Sequence, residues 1–279
     1  MMKKLGKILL GTAAVTAAAG GLYCLSIRGS RNHPDLELLR QYRYAHRGYH
    51  DKPQIPENSL PAFRRAIARG WGAELDVHLL KDGTLAVFHD SDLSRCTGAD
   101  GMIEDLTLAE LKELRLEGTD EQIPTFDEVL ALFEMATPLI IELKTANGNH
   151  RALAEAVCQR LDTYKGAFCM ESFDPRVLHE VRSLRPGVCL GQLAENFFQD
   201  DEPLPLWQKT ALSNLMLNFL STPDFIAYKF ADSKNRSLQA CMKLWGTQEV
   251  SWTIRSKEDL DACEALGAIP IFEQFDPDL

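Results

Sequence analysis

Residues 73–78 read Ala73-Glu74-Leu75-Asp76-Val77-His78. In an extended chain successive side chains alternate, so Glu74, Asp76 and His78 share one face while Leu75 and Val77 take the other. Ionisable groups turned into a protein interior are costly without a counter-charge, and a divalent cation bound by carboxylate oxygens supplies one. The run Leu139-Ile140-Ile141-Glu142-Leu143-Lys144 repeats the device, with Glu142 and Lys144 on one face of an otherwise apolar segment. Two histidines stand at the ends of apolar runs, in His46-Arg47-Gly48 and His89-Asp90. Paired imidazoles near carboxylates suit metal-assisted acid–base chemistry. The plainer alternative is a set of solvated strand acids. No HExxH, Walker loop or helix-opening GxGxxG is present, which argues against a zinc peptidase or a nucleotide fold.

Short apolar runs alternating with helical stretches must hold these groups. The pattern predicts strands at Tyr42–His46, Ala73–Leu79, Leu85–His89, Pro138–Leu143, Ala167–Ser172, Val188–Leu193, Asp224–Tyr228 and Val250–Ile254, with Ala268–Phe272 as a ninth candidate. Lys81-Asp82-Gly83-Thr84 is too short for a crossover helix, so Leu85–His89 is expected to form a hairpin with its predecessor. Helices are expected at Asn58–Arg69, Thr107–Leu114, Thr125–Glu134, His150–Thr163, Pro175–Leu184, Ser233–Leu244 and Lys257–Leu266, with Asn58 as the first N-cap. This order predicts an α/β fold, a TIM (β/α)8 barrel whose sites lie at the carboxyl ends of the strands; a doubly wound open sheet is the alternative. His50, His150 and His179 read as solvated, and His78 as a further ligand or substrate contact.

The chain has 279 residues and a net charge of −10, with 45% hydrophobic and 25% charged residues, an ordinary globular composition. Residues 1–43 hold seven Lys and Arg against two Asp and Glu, which leaves −15 on residues 44–279. Such a surface repels nucleic acid. Seven scattered cysteines without CxxC spacing read as buried thiols. After a basic segment, 1–7, residues 8–27 carry no charge. Twenty residues in helical form span about 30 Å, the thickness of a bilayer core. They are expected to be a single transmembrane anchor; a cleaved signal peptide and secretion are the competing reading, through Thr16-Ala17-Ala18-Ala19-Gly20. Residues 28–41 then form a linker, and 42–279 the barrel domain.

His46-Arg47-Gly48, Pro56-Glu57-Asn58-Ser59, Glu74-Leu75-Asp76-Val77, Lys81-Asp82-Gly83-Thr84, His89-Asp90 and Glu142-Leu143-Lys144 together resemble the glycerophosphodiester phosphodiesterase family. Weaker likeness runs through Ser172-Phe173-Asp174-Pro175 and Trp252-Thr253-Ile254. The resemblance implies a TIM barrel with a small insertion between His89 and Pro138. It places a divalent cation, Mg²⁺ or Ca²⁺, on Glu74, Asp76 and Glu142, and makes His46 and His89 the catalytic pair; it leaves open which is acid and which base, and the expectation taken here is His46 as base and His89 as acid. Arg47 and Lys144 then meet the phosphate. Glu57 and Trp252 are expected as further substrate contacts, with holding Arg47 or touching the metal site as the other roles open to Glu57. The implied reaction releases sn-glycerol 3-phosphate and an alcohol from a glycerophosphodiester. A lysophospholipase D, or a silent barrel that binds lipid head groups, are the alternatives. The chain departs from the family at Ile254 and Arg255 and along Ala268–Glu273, which touch the substrate pocket.

Overall fold

The computed structural model describes residues 18–199 and 203–279. Nine strands form one sheet: β1 (Tyr44–Ala45), β2 (Gly72–Leu79), β3 (Leu85–Val87), β4 (Leu139–Leu143), β5 (Phe168–Ser172), β6 (Leu190–Ala194), β7 (Phe225–Lys229), β8 (Gln248–Ile254) and β9 (Ile269–Phe272). Eight of them are parallel, and because β1 pairs with both β2 and β9 the sheet closes into a barrel. The open-sheet alternative is thereby excluded. β3 is the expected exception, antiparallel to β2 with Val77 opposite Val87.

Period-two alternation sorts the side chains into two cores. Tyr44, Ile140, Cys169, Phe225, Val250 and Ile271 fill the barrel interior. Leu75, Val77, Leu139, Ile141 and Met170 point outward into the layer beneath the helices. The segment between β3 and β4 has a small core of its own, in which Phe88, Leu93, Cys96, Ile103, Leu111 and Ile123 pack together. This is the expected insertion.

Helix starts follow local chemistry. Thr125 and Glu128 form a capping box for Phe126–Phe133, and Asp174 followed by a proline opens Pro175–Leu184. The helix Leu60–Ala68 is capped by Ser59, whose hydroxyl accepts from Ala62 N, and not by Asn58 as expected. The helix Leu206–Ser213 was not foreseen: Pro205 precedes it and no side chain caps its start.

Residues 8–17 of the expected anchor lie outside the described residues. Among the described residues no helix is long and apolar enough to cross a membrane. Residues 18–26 are helical, and the end of the apolar run is committed to the barrel. Ile27 is fully buried against Leu215, Ile226, Tyr228 and Leu238. The expected linker is also more than a tether. Ser30 N donates to Pro223 O, Arg31 Nε to Trp245 O and Arg40 Nε to Gln248 Oε1. Leu36 and Leu39, on the short helix Leu36–Leu39, join the interior cluster and close the base of the barrel. Apolar side chains at 36 and 39 were the available signal.

Gly191 shows how tightly the interior is filled, since a Cβ there would sit 2.0 Å from the buried Phe225 ring. Overpacking of this kind costs about 1–3 kcal/mol. Gly191→Ala is expected to lower stability by that amount in urea unfolding, with an unchanged midpoint as the contrary result.

Candidate active site

The carboxyl ends of β1, β2 and β4 bring the sequence candidates together. Glu74, Asp76 and Glu142 are buried, and each offers a carboxylate oxygen within 4.8 Å of the others. Register explains this, because Asp76 lies beside Glu142 and Glu74 beside Ile140 on paired parallel strands. Lys144 reaches over both, with Nζ 2.8 Å from Glu142 Oε1 and 3.0 Å from Asp76 Oδ1. The second contact is an ion pair without hydrogen-bond alignment, so Asp76 Oδ1 keeps an unshared acceptor.

Electrostatics here are strained by crowding. Burial, then Asp76 and Glu142 beside it, pushes the Glu74 carboxyl well above its ordinary value. Burial raises Glu142 to about 7 despite Lys144. Asp76 goes the other way: burial opposes its charge, but Lys144, His89 and Arg47 hold it well below the usual range. Three buried acids, one with an unused oxygen and two reluctant to ionise, fit a hard divalent cation that accepts oxygen ligands.

The two histidines flank this trio, and each is oriented by a carboxylate. His46 Nδ1 donates to Glu273 Oε2 at 2.7 Å, and His89 Nδ1 to Asp90 Oδ1 at 2.5 Å. That arrangement leaves Nε2 of each ring for chemistry, and His46 Nε2 lies 3.9 Å from Glu74 Oε2. Burial, with Arg47 adjacent, lowers His46 to about 4, and burial likewise lowers His89. Arg47 and Asn58 both adopt left-handed backbone, with φ of 55° and 51°, a conformation tolerated better by Asn than by Arg. Their turn is held by Arg47 N donating to Glu74 Oε2 and Asn58 N to Arg47 O. Gly48 is required beside them, since its φ is 78° and a Cβ would meet Ala62 at 2.9 Å.

Asn58 is therefore a site residue and not a helix cap: its Nδ2 donates to Asp76 Oδ2 at 2.7 Å. Glu57, expected either to meet substrate or the metal site or to hold Arg47, is occupied by cations. It accepts from Arg47 Nη1 at 2.9 Å and Arg95 Nη2 at 2.6 Å, and pairs with Lys52. Its effect is to fix Arg47. The cluster Glu57, Cys96 and Glu117 has metal-like spacing, but the same cations already neutralise it. His78 is spent on Glu104 Oε1 at 2.7 Å and on His89 O at 3.2 Å, so it braces His89 and is no ligand. His50 is buried, not solvated, with Nε2 3.7 Å from Glu273 Oε2.

Trp252 lies on the far side of the mouth, its Nε1 donating to Ala227 O and its ring 5.6 Å from Phe173, edge to face. Phe173 in turn meets Phe197 at 5.9 Å. Sequence reasoning missed Glu171 and Glu273. Glu171 is buried opposite Glu142 across β4 and β5, with Oε2 unpartnered. The alternation rule applied to β5 would have placed it inward. Glu273 follows β9 directly, as His46 follows β1.

A closed parallel barrel carrying acids, two imidazoles and two cations at its carboxyl-end mouth defines a phosphate-handling hydrolase site of the TIM-barrel class. Residues 46–275 match the Glycerophosphoryl diester phosphodiesterase family, and the chain belongs to that family. A glycerophosphodiester phosphodiesterase of Caldanaerobacter subterraneus is 30% identical, over 78% of this chain and 87% of that protein. A lysophospholipase D of Rattus norvegicus is 34% identical over 39% of this chain and 38% of its own length. Among solved structures, the glycerophosphodiester phosphodiesterase of Thermotoga maritima superposes with a TM-score of 0.63 at 28% identity, covering 83% of this chain and 94% of that one. An Oleispira antarctica phosphodiesterase in complex with the product sn-glycerol-3-phosphate gives 0.67 at 25% identity, covering 83% and 92%.

Glu142 titrates near 4.5 when unfolded and about 7 when folded, so the folded state holds the extra proton. The stability this provides is present below pH 4.5 and is lost as pH rises through 7. In EDTA, Glu142→Gln is therefore expected to gain melting temperature relative to wild type between pH 5 and pH 8. Added Mg²⁺ or Ca²⁺ is expected to reverse the gain. A difference that stays constant with pH would contradict the assignment.

Proposed function

We propose that this chain hydrolyses glycerophosphodiesters to sn-glycerol 3-phosphate and an alcohol. The observation that carries the reading is the pair of carboxylate-oriented imidazoles, His46 with Glu273 and His89 with Asp90, beside one buried acidic trio. Glu74, Asp76 and Glu142 would hold Mg²⁺ or Ca²⁺, which when bound neutralises charge on the phosphoryl oxygens. Arg47, fixed by Glu57, and Lys144 attract the phosphate into a mouth that net charge would otherwise close to it. His46, neutral near pH 7, accepts the proton of the attacking oxygen at Nε2. His89 gives a proton to the leaving alkoxide, with Asp90 and the substrate's negative charge favouring its protonated form. The aromatic side of the mouth, Trp252, Phe173 and Phe197, supports single-chain phospholipids as a second substrate class, a lysophospholipase D activity. Length and composition support reading the apolar segment from residue 8 as a membrane anchor, with a cleaved leader as the alternative.

Choline release from glycerophosphocholine and from lysophosphatidylcholine, assayed with the full chain and either ion, tests the reading. EDTA is expected to abolish activity and the ion to restore it. His46→Ala and His89→Ala are each expected to lower kcat by about 10²–10⁴-fold, the usual contribution of a general acid or base. Activity indifferent to chelation, or retained in both histidine variants, would refute the mechanism.

A further inference from the structure

Four acids lie side by side on the inner faces of β2, β4 and β5, and the family resemblance uses three of them. The fourth, Glu171, sits beside Glu142 in parallel register and is 1% exposed. Each acid of the trio already has a partner: Glu74 accepts from Arg47 N, Asp76 from Asn58 Nδ2, and Glu142 pairs with Lys144. Glu171 has no hydrogen bond or ion pair among the described residues, and its Oε2 is sealed from water.

Most of its surroundings are apolar. On the β6 side its neighbour is Gly191, against which the Phe225 ring packs. Cys169 and Phe173, two residues to either side on the same face, belong to the apolar filling of the barrel. Burial and the charges of Glu142 and Asp76 oppose ionisation of Glu171, and Lys144 favours it. The polar direction open to its carboxyl is therefore toward the trio. A buried carboxyl without a partner is costly, and an apolar side chain of similar volume would remove the cost. A ligand arriving from outside the chain gives it a reason to be there.

A count of oxygens indicates which ligand. Glu74 Oε2, Asp76 Oδ2 and Glu142 Oε1 are committed to Arg47, Asn58 and Lys144, which leaves Glu74 Oε1, Asp76 Oδ1 and Glu142 Oε2. Three oxygens suit Mg²⁺, which keeps several waters in an octahedral shell; Ca²⁺ takes about six to eight oxygen ligands. A substrate hydroxyl is the weaker explanation, since one neutral donor leaves the Glu171 charge beside Glu142 and Asp76 unanswered. We propose that Glu171 is a fourth carboxylate ligand of the cation and makes the site prefer Ca²⁺ to Mg²⁺. The inference rests on the cation reading above and deepens it. The trio groups within 4.8 Å, and Glu171 adjoins that group through Glu142. Ca²⁺ accepts irregular shells, and the torsions of a glutamate let Glu171 turn toward it.

Equilibrium titration of the full chain, stripped of metal and without substrate, with Ca²⁺ and separately with Mg²⁺ tests this. Wild type is expected to bind Ca²⁺ more tightly. Glu171→Gln is expected to weaken Ca²⁺ binding by about 10–100-fold and Mg²⁺ binding by about threefold or less. Ca²⁺ affinity within about twofold of wild type overturns the inference, and so does an equal loss for both ions. In EDTA the melting temperatures of Glu171→Gln and of the apolar variant Glu171→Leu are expected to equal or exceed that of wild type, because neither change removes a bond. A fall in both marks a structural carboxyl and overturns the ligand role. A wild-type chain that binds neither ion refutes instead the cation reading on which the inference rests.

Discussion

Four carboxylates, Glu74, Asp76, Glu142 and Glu171, are buried within one end of one barrel, faced by Lys144 and Arg47. Much of the surrounding structure follows from that excess of negative charge. Isolated buried ions are costly, and the protein answers with shared protons, ion pairs and neutral donors. Glu171 stays above its ordinary range through burial and its neighbours Glu142 and Asp76. Asn58, in a backbone conformation few residues favour, is held where its amide can satisfy Asp76. Arg47 is restrained from both ends, by Glu74 at its amide and Glu57 at its guanidinium. A divalent cation is the ligand that relieves most of this tension in one event, as well as the group that draws in an anionic substrate.

A second layer sets the orientation of the working groups. Glu273 touches His46 and also accepts from Arg255. Burial opposes its charge, but His46 and His50, and then Arg255, hold its carboxyl well below the ordinary range. On the other side Asp90 is shared between His89 and Arg95, and Arg95 reaches back to Glu57. Arg47 on one side and Arg95, which braces the aspartate of His89, on the other thus meet on Glu57. These contacts cross from strand ends to loops, and loops are where sequence separation hides proximity.

Strands and their inward faces were legible because alternation is a local property. Glu74, Asp76, Glu142 and Lys144 could be placed from residues 73–78 and 139–144 alone, and the antiparallel β3 from four turn residues. Partners brought close only by barrel closure were not legible. Glu273 lies 227 residues from His46, and nothing local to either predicts their bond. Asn58 was misread because a capping residue and a site residue look alike beside a helix start, and Ser59 one position on does the capping. The end of the N-terminal apolar run was misplaced for a related reason. Hydropathy cannot distinguish an apolar side chain meant for lipid from one meant for a groove on the same chain, and Ile27 belongs to the second kind.

The insertion has its own small core, and it supplies the braces of one imidazole only: Asp90 and Arg95, and Glu104 acting through His78. His46 is braced by the barrel itself. Cooperative units of a protein can open at different free energies. Mild heat or denaturant that loosened this lobe ahead of the barrel would leave a molecule still folded by circular dichroism, still able to gather cation and phosphate, yet with its proton donor adrift. Loss of turnover and loss of structure would then be separate events, with the insertion setting the first.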